Sequence, residues 1–164
     1  GGAVITNNQK LYKNIRDKVD NGKKKNTFEL VYEQKTLNFR IASINAALGI
    51  SQIKKLKKFL LLKKKLSKKY LKLFKDLKGV RYIAEDEFTK SNNWLNAVEV
   101  DFKKNKQRIE LFKKAKKLRI PIRPAWTPLN KLNYLKKFPK SSLYESDKIY
   151  KKIICLPSSA ILGQ

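Results

Sequence analysis

Histidine is absent from this 164-residue chain. That removes the usual general base at neutral pH and the commonest metal ligand. Cysteine occurs once, at Cys155, which excludes an internal disulfide and every paired-cysteine metal motif. Its setting, Ile153-Ile154-Cys155-Leu156, reads as a core thiol. Methionine is missing altogether, and the chain opens on Gly1-Gly2-Ala3-Val4-Ile5-Thr6, which reads as the middle of a domain. The expectation is therefore the C-terminal portion of a longer protein. No apolar run approaches the roughly 20 residues of a membrane span; the longest is Phe59–Leu62. No secretory signal pattern is read, so neither a membrane nor an export route is expected, and the cytoplasm is the expected location.

Acidic residues are also scarce, 13 against 40 basic ones, for a net charge of +27. Such an excess suggests a nucleic-acid-binding module. Only six of the basic residues are arginines, at 16, 40, 81, 108, 119 and 123; the other 34 are lysines. Base reading and phosphate clamping favour the planar arginine fork. Lysine excess of this kind reads better as solvated helix faces, and no specific nucleic-acid partner is expected. The basic module stays open as an alternative function.

Along the chain, Ala3–Thr6 reads as a short strand and Asn7-Asn8 as a turn. Gln9–Val19 reads as a helix with Leu11, Ile15 and Val19 on one face, stopped by Asn21-Gly22. Lys23–Asn26 reads as a solvated loop and Phe28–Tyr32 as extended. From Ser43, a candidate cap, to about Leu77 the spacing predicts one long helix, unbroken or broken once. Its apolar stripe runs Ile53, Leu56, Phe59, Leu60, Leu62, Leu66, Tyr70, Leu73 and Leu77 and reads as facing a core, with a membrane-surface helix or a coiled coil as the alternatives. Gly79 stops it. Strands are expected at Val80–Ala84, Asn96–Phe102 and Ile120–Arg123. Helices are expected at Lys104–Leu118, facing inward through Ile109, Phe112 and Ala115, and at Ser142–Ile153, opened by a Ser142/Glu145 capping box, with Ile149 and Ile153 on one face. The fold class is α+β: a small mixed or antiparallel sheet with a long helix and flanking helices.

Two stretches carry candidate chemistry. Asn38-Phe39-Arg40 is a polar, aromatic, cationic triplet just ahead of the long helix. An asparagine amide and a guanidinium can both donate to phosphate oxygens. The plain alternatives are an Asx-turn at Asn38 and a structural salt bridge at Arg40. Arg123-Pro124-Ala125-Trp126-Thr127-Pro128-Leu129 holds an arginine and a tryptophan on a loop stiffened by two prolines. That pairing suits an anionic, ring-bearing ligand, and its alternative is a loop packed by its Trp. Trp94 is expected in the core, and the serines of Leu156-Pro157-Ser158-Ser159 as caps.

Asn38-Phe39-Arg40-Ile41 followed by Asn45-Ala46-Ala47-Leu48-Gly49 and Gln52 resembles the DegT-type sugar-nucleotide aminotransferases, pyridoxal-phosphate enzymes of the aspartate aminotransferase fold. Gly1–Asn8, Asn92–Asn96, Arg123–Leu129 and Leu156-Pro157-Ser158-Ser159 are similar to that family too. The resemblance covers nearly all of this chain but only the last part of a family member. It implies that residues 1–36 are the tail of the large, cofactor-holding domain and 37–164 the small domain. It implies pyridoxal 5'-phosphate as cofactor and a homodimer with shared sites, Asn38 reaching the cofactor phosphate of the neighbouring subunit and Arg40 supporting the phosphate or tying subunits. Arg123 and Trp126 would lie near the pocket for a nucleotide-linked keto sugar, which becomes an amino sugar with glutamate as the amine donor. The product would serve surface polysaccharide or glycan synthesis; Arg-Pro-x-Trp with Leu-Pro-Ser-Ser is most similar to members making 4-amino-6-deoxy sugars. The Schiff-base lysine and the acidic partner of the pyridine nitrogen would precede Gly1, so no lysine here is nominated as catalytic and this chain alone is expected to be inactive. A member of the family that lost catalysis and acts as a regulator is the remaining alternative.

Overall fold

The computed structural model describes residues 2–22, 28, 31, 32, 35, 36 and 38–164. The expected loop Lys23–Asn26 and the middle of the expected extended stretch Phe28–Tyr32 lie outside the described residues. The chain divides into two compact units, Gly1–Lys55 and Leu56–Gln164.

In the first unit, helix α1 spans Gln9–Val19. Asn8 opens it, its side-chain oxygen accepting from the Leu11 N–H at 3.0 Å. Asn21 and Gly22 end it by taking left-handed backbone angles, φ 61° and 66°, and the Gly22 N–H closes onto the Asp17 carbonyl at 2.8 Å. The strand expected at Ala3–Thr6 is not formed. Those residues are irregular, with Ile5 93% exposed. β-Branched residues favour a strand only where a neighbour completes the ladder, and the described residues offer none. Helix α2 spans Ser43–Phe74 without a break. Ser43 is its first helical residue rather than its cap. Ala42 stands in the cap position, its carbonyl accepting from the Ala46 N–H at 3.0 Å.

The second unit is built on four strands, β1 (Val80–Tyr82), β2 (Asn96–Val100), β3 (Arg123–Pro124) and β4 (Ile153–Leu156). They lie in the order β1-β2-β4-β3, every pair antiparallel. Helices α3 (Asn105–Lys117) and α4 (Tyr144–Lys152) complete the unit with short 3-10 turns. Gly79, at φ 76°, makes the turn into β1, and its carbonyl accepts from the Asp101 N–H at 2.8 Å. Pro124 is tolerated because β3 is an edge strand and has no inward ladder bond to lose there.

Several expectations shift here. The final helix stops at Lys152, and Ile153 opens β4, which was not expected as a strand. The helix begins after Leu143 with no side-chain cap, so Ser142 and Glu145 form no capping box. Ile149 is 45% exposed. The third strand lies at Arg123–Pro124, with only the end of Ile120–Arg123 paired. On α3, Ala115 is buried and Phe112 packs on the core, while Ile109 is 46% exposed.

The core is Tyr82, Val98 and Ile154, with Tyr70, Phe74, Val100, Phe112 and Leu156 packed round it. Cys155 is buried as expected, and burial is the main cause raising its thiol pKa. Of the α2 stripe only Leu66 is fully buried; Ile53, Leu56, Leu60, Leu73 and Leu77 are exposed. Length explains part of this. A 32-residue helix is about 48 Å long, whereas a five-residue strand covers about 17 Å.

A directed chain of hydrogen bonds crosses this core. The Tyr82 hydroxyl donates to Asn96 Oδ1 at 2.7 Å. Its single proton is then spent, so the 2.9 Å contact with Ser67 has the serine as donor. Asn96 is 1% exposed and donates through its backbone N–H (2.8 Å) and its amide (3.2 Å) to Ser158 Oγ. Ser158 passes its own proton to the Leu156 carbonyl at 2.8 Å. Burial raises the Tyr82 pKa, with the Ser67 bond working against it. Ser158 is therefore a staple between β2 and the segment after β4, not a cap.

Candidate functional site

The sequence-predicted residues fall into two groups, one in each unit. In the first, Asn38 pairs with Asp20 in an isolated antiparallel bridge, extended by the Phe39 N–H to the Val19 carbonyl at 3.1 Å. Its Oδ1 accepts the Arg40 backbone N–H at 3.0 Å, an Asx-turn. Arg40 gives one guanidinium nitrogen to Asp20 at 3.2 Å and stays 68% exposed. Both plain readings of these residues are thus present. Neither uses up the donors: among the described residues, the Asn38 amide nitrogen and the remaining guanidinium N–H groups face no acceptor. Arg40 also lines a cavity of about 860 Å³ with Tyr12, Arg16, Phe39 and residues 2–4. The arginine fork lines the cavity and the Asn38 amide sits two residues from it in the chain; both are donors of the kind that fits a phosphate group.

In the second unit, Arg123 and Leu156–Ser159, far apart in sequence, line one cavity of about 450 Å³ with Leu95 and Leu162. The β3–β4 register, Arg123 opposite Cys155, brings them together. The Arg123 guanidinium lies 5.8 Å from the Trp126 ring centroid. Trp126 stacks on Trp94, with centroids 6.0 Å apart and planes at 28°. Trp94 was expected in the core; it is instead 65% exposed and Trp126 is 62% exposed. The turn before it accounts for this. Asn93 adopts φ 49° and is itself buried, while the Trp94 N–H bonds the Asn92 side chain at 2.9 Å. A cation lining a cavity, with two stacked indoles next to that cation, can take an anionic ligand that carries a flat ring.

Lys63 was not foreseen. From α2 its ammonium donates to three backbone carbonyls: Asn93 at 3.0 Å, Trp94 at 3.2 Å and Ser158 at 2.7 Å. Burial lowers its pKa. The available signal was its register, since Lys63 falls in step with Phe59, Leu66 and Tyr70 on one side of the helix.

The family model of DegT/DnrJ/EryC1/StrS aminotransferases matches residues 1–164. The chain belongs to that family. Among solved structures it is similar to Helicobacter pylori PseC, an aminotransferase involved in the biosynthesis of pseudoaminic acid, at 25% identity and TM-score 0.79, covering 94% of this chain and 42% of that one. It is also similar to the apo form of the sugar aminotransferase Spr1654 from Streptococcus pneumoniae, at 19% identity and TM-score 0.84, covering 98% and 41%. A third is S. venezuelae DesV, at 19% identity and TM-score 0.78, covering 96% and 41%. The chain spans about two-fifths of the length of these structures. Its α+β fold is thus part of the fold-type I aminotransferase architecture. No helix among the described residues is long and apolar enough to cross a membrane.

Proposed function

We propose that the complete protein is a pyridoxal-phosphate-dependent transaminase that aminates a nucleotide-linked keto sugar. The match of the aminotransferase family over residues 1–164 carries this reading. Bound pyridoxal phosphate would supply the electron sink for moving an amine between two carbonyl compounds. Residues 1–36 belong to the large domain and 37–164 to the small one. Asn38 and Arg40 offer their unspent donors to the cofactor phosphate of a neighbouring subunit, which makes the protein a homodimer with shared sites. Arg123 and Trp126 bind the nucleotide-linked substrate, the cation meeting its phosphates and the indole its base. Glutamate donates the amine, the product feeds surface polysaccharide or glycan synthesis, and the enzyme works in the cytoplasm.

The 164-residue chain alone turns over no substrate, because none of its lysines stands in the cofactor-anchoring motif. The test is to purify the complete protein with pyridoxal phosphate and supply glutamate with a set of nucleotide-linked 4-keto-6-deoxy sugars. Mass spectrometry then follows exchange of carbonyl for amine. An aminated sugar nucleotide from the complete protein alone supports the reading. No aminated product from any substrate refutes it.

A further inference from the structure

Lys63 reaches both loops of the Arg123 cavity. Its ammonium has three protons, and three carbonyls take them, within 2.7 to 3.2 Å. Two of those carbonyls belong to Asn93 and Trp94, on the turn that presents the Trp94 ring; the next residue, Leu95, is in the cavity wall. The third belongs to Ser158, in the opposite wall. The Ser158 hydroxyl is already fixed by Asn96, so Lys63 adds the second tether on that residue. No carboxylate pairs with Lys63 among the described residues. The ammonium is only partly buried, so solvent shares its charge with the three carbonyl dipoles, and its protons go to loop backbone rather than to a counterion.

We propose that Lys63 is a positioning residue for the substrate site: it holds the Trp94 turn and the Ser158 wall at the spacing a nucleoside diphosphate needs, with the Trp94–Trp126 stack as the platform for the base. The assignment rests on the substrate reading of Arg123 and Trp126 given above. Removing the ammonium frees the turn, so the two indoles lose their fixed stacking and the ligand must order them on binding.

The test uses the 164-residue chain with UDP, GDP and dTDP as probes. Trp94 and Trp126 are its only tryptophans, so binding is read from their fluorescence and stacking from their coupled circular-dichroism band. Lys63→Met should lose that band and weaken binding about tenfold, while Lys63→Arg, which keeps the donors, stays within about threefold of the unaltered chain. Retention of both band and affinity in a folded Lys63→Met chain overturns the proposal, as does an arginine variant no better than the methionine one. Should Lys63→Met fail to fold, Lys63→Gln decides by the same readings, with an intermediate affinity expected and an unchanged one overturning the idea. Failure of the substrate reading has a separate signature. The unaltered chain would then bind none of the three probes, or Trp126→Ala would bind them undiminished, and either result removes Lys63's role in binding even if the stacking band is lost.

Discussion

Asn96 ties β1 to the segment after β4 through its side chain. It accepts from Tyr82, donates twice to Ser158 and is 1% exposed. Asn96→Ala takes the acceptor from the Tyr82 hydroxyl and the longer of the two donors from Ser158 Oγ, whose backbone N–H donor remains. The expected cost is about 2–3 kcal/mol, read as a shift of the urea unfolding midpoint. Gly163 is constrained in a different way, since a Cβ there would overlap the Leu62 backbone carbonyl. Gly163→Ala should cost about 1–3 kcal/mol in the same measurement, because backbone must move to admit one methyl group. Glu99 makes the pH dependence testable. The Arg81 hydrogen bond, outweighing burial, holds its carboxyl below the usual glutamate range, with Lys152 assisting. The folded state therefore binds a proton less readily than the unfolded one. The stability that Glu99 contributes is complete above the unfolded-state value and is lost as pH falls through the folded-state value. Glu99→Gln should lower stability at neutral pH and flatten that acid limb of the stability-versus-pH curve, so that the two curves converge at low pH. At the proposed cofactor contact, Asn38→Asp would set a carboxylate against a phosphate. Cofactor retention by the complete protein, read by absorbance after dialysis, should weaken by about tenfold or more.

At the scale of elements, the mid-chain β1–β2 pair, α1, α2 and α3 were legible because each has its own period and its own stop signal. Asn21-Gly22 and Gly79 mark ends that take left-handed angles in the structure. The strand β4 was hidden by continuity: Tyr144–Lys152 is helical and Ile153 looked like its next apolar turn. What ends the helix is pairing of Ile153–Leu156 with β2, a non-local contact that no local pattern announces. Ala3–Thr6 failed for the opposite reason, having strand-forming residues without a partner among the described residues. The candidate site was half legible. Arg123 and the Leu156–Ser159 turn could be named, but not that β3–β4 pairing would set them round one cavity. Trp94 was misplaced in the core because size and apolarity suggest burial, whereas the Asn93 turn and the Trp126 ring decide its position. Lys63 sat in plain view within the apolar register and was read as one more solvated lysine.

At the scale of the whole molecule, +27 predicts adhesion to any polyanion. Binding to DNA or heparin should fall steeply as salt rises and show no preference for sequence, as counterion release requires. Fluorescence anisotropy against salt, with two unrelated DNA sequences, checks this. Sequence preference that survives at high salt would instead favour the basic module as the function. The charge lies mostly on lysine, and the exposed helical pairs Lys106–Glu110 and Lys148–Glu145, each at 3.9 Å, add little to stability.

The strand order has a consequence for how the second unit is made. β2 and β3 both find their partner in β4, and β4 follows every other strand and all four helices in the chain. On a ribosome, then, β3 emerges with no strand to join, and only the β1–β2 pair can form early. A nascent chain halted at Lys152 holds Tyr82 and Val98 with their third core neighbour, Ile154, still untranslated. Closure waits on the synthesis of four residues, so this unit spends most of its translation with an open sheet edge, the stage at which a holding chaperone has the most to protect.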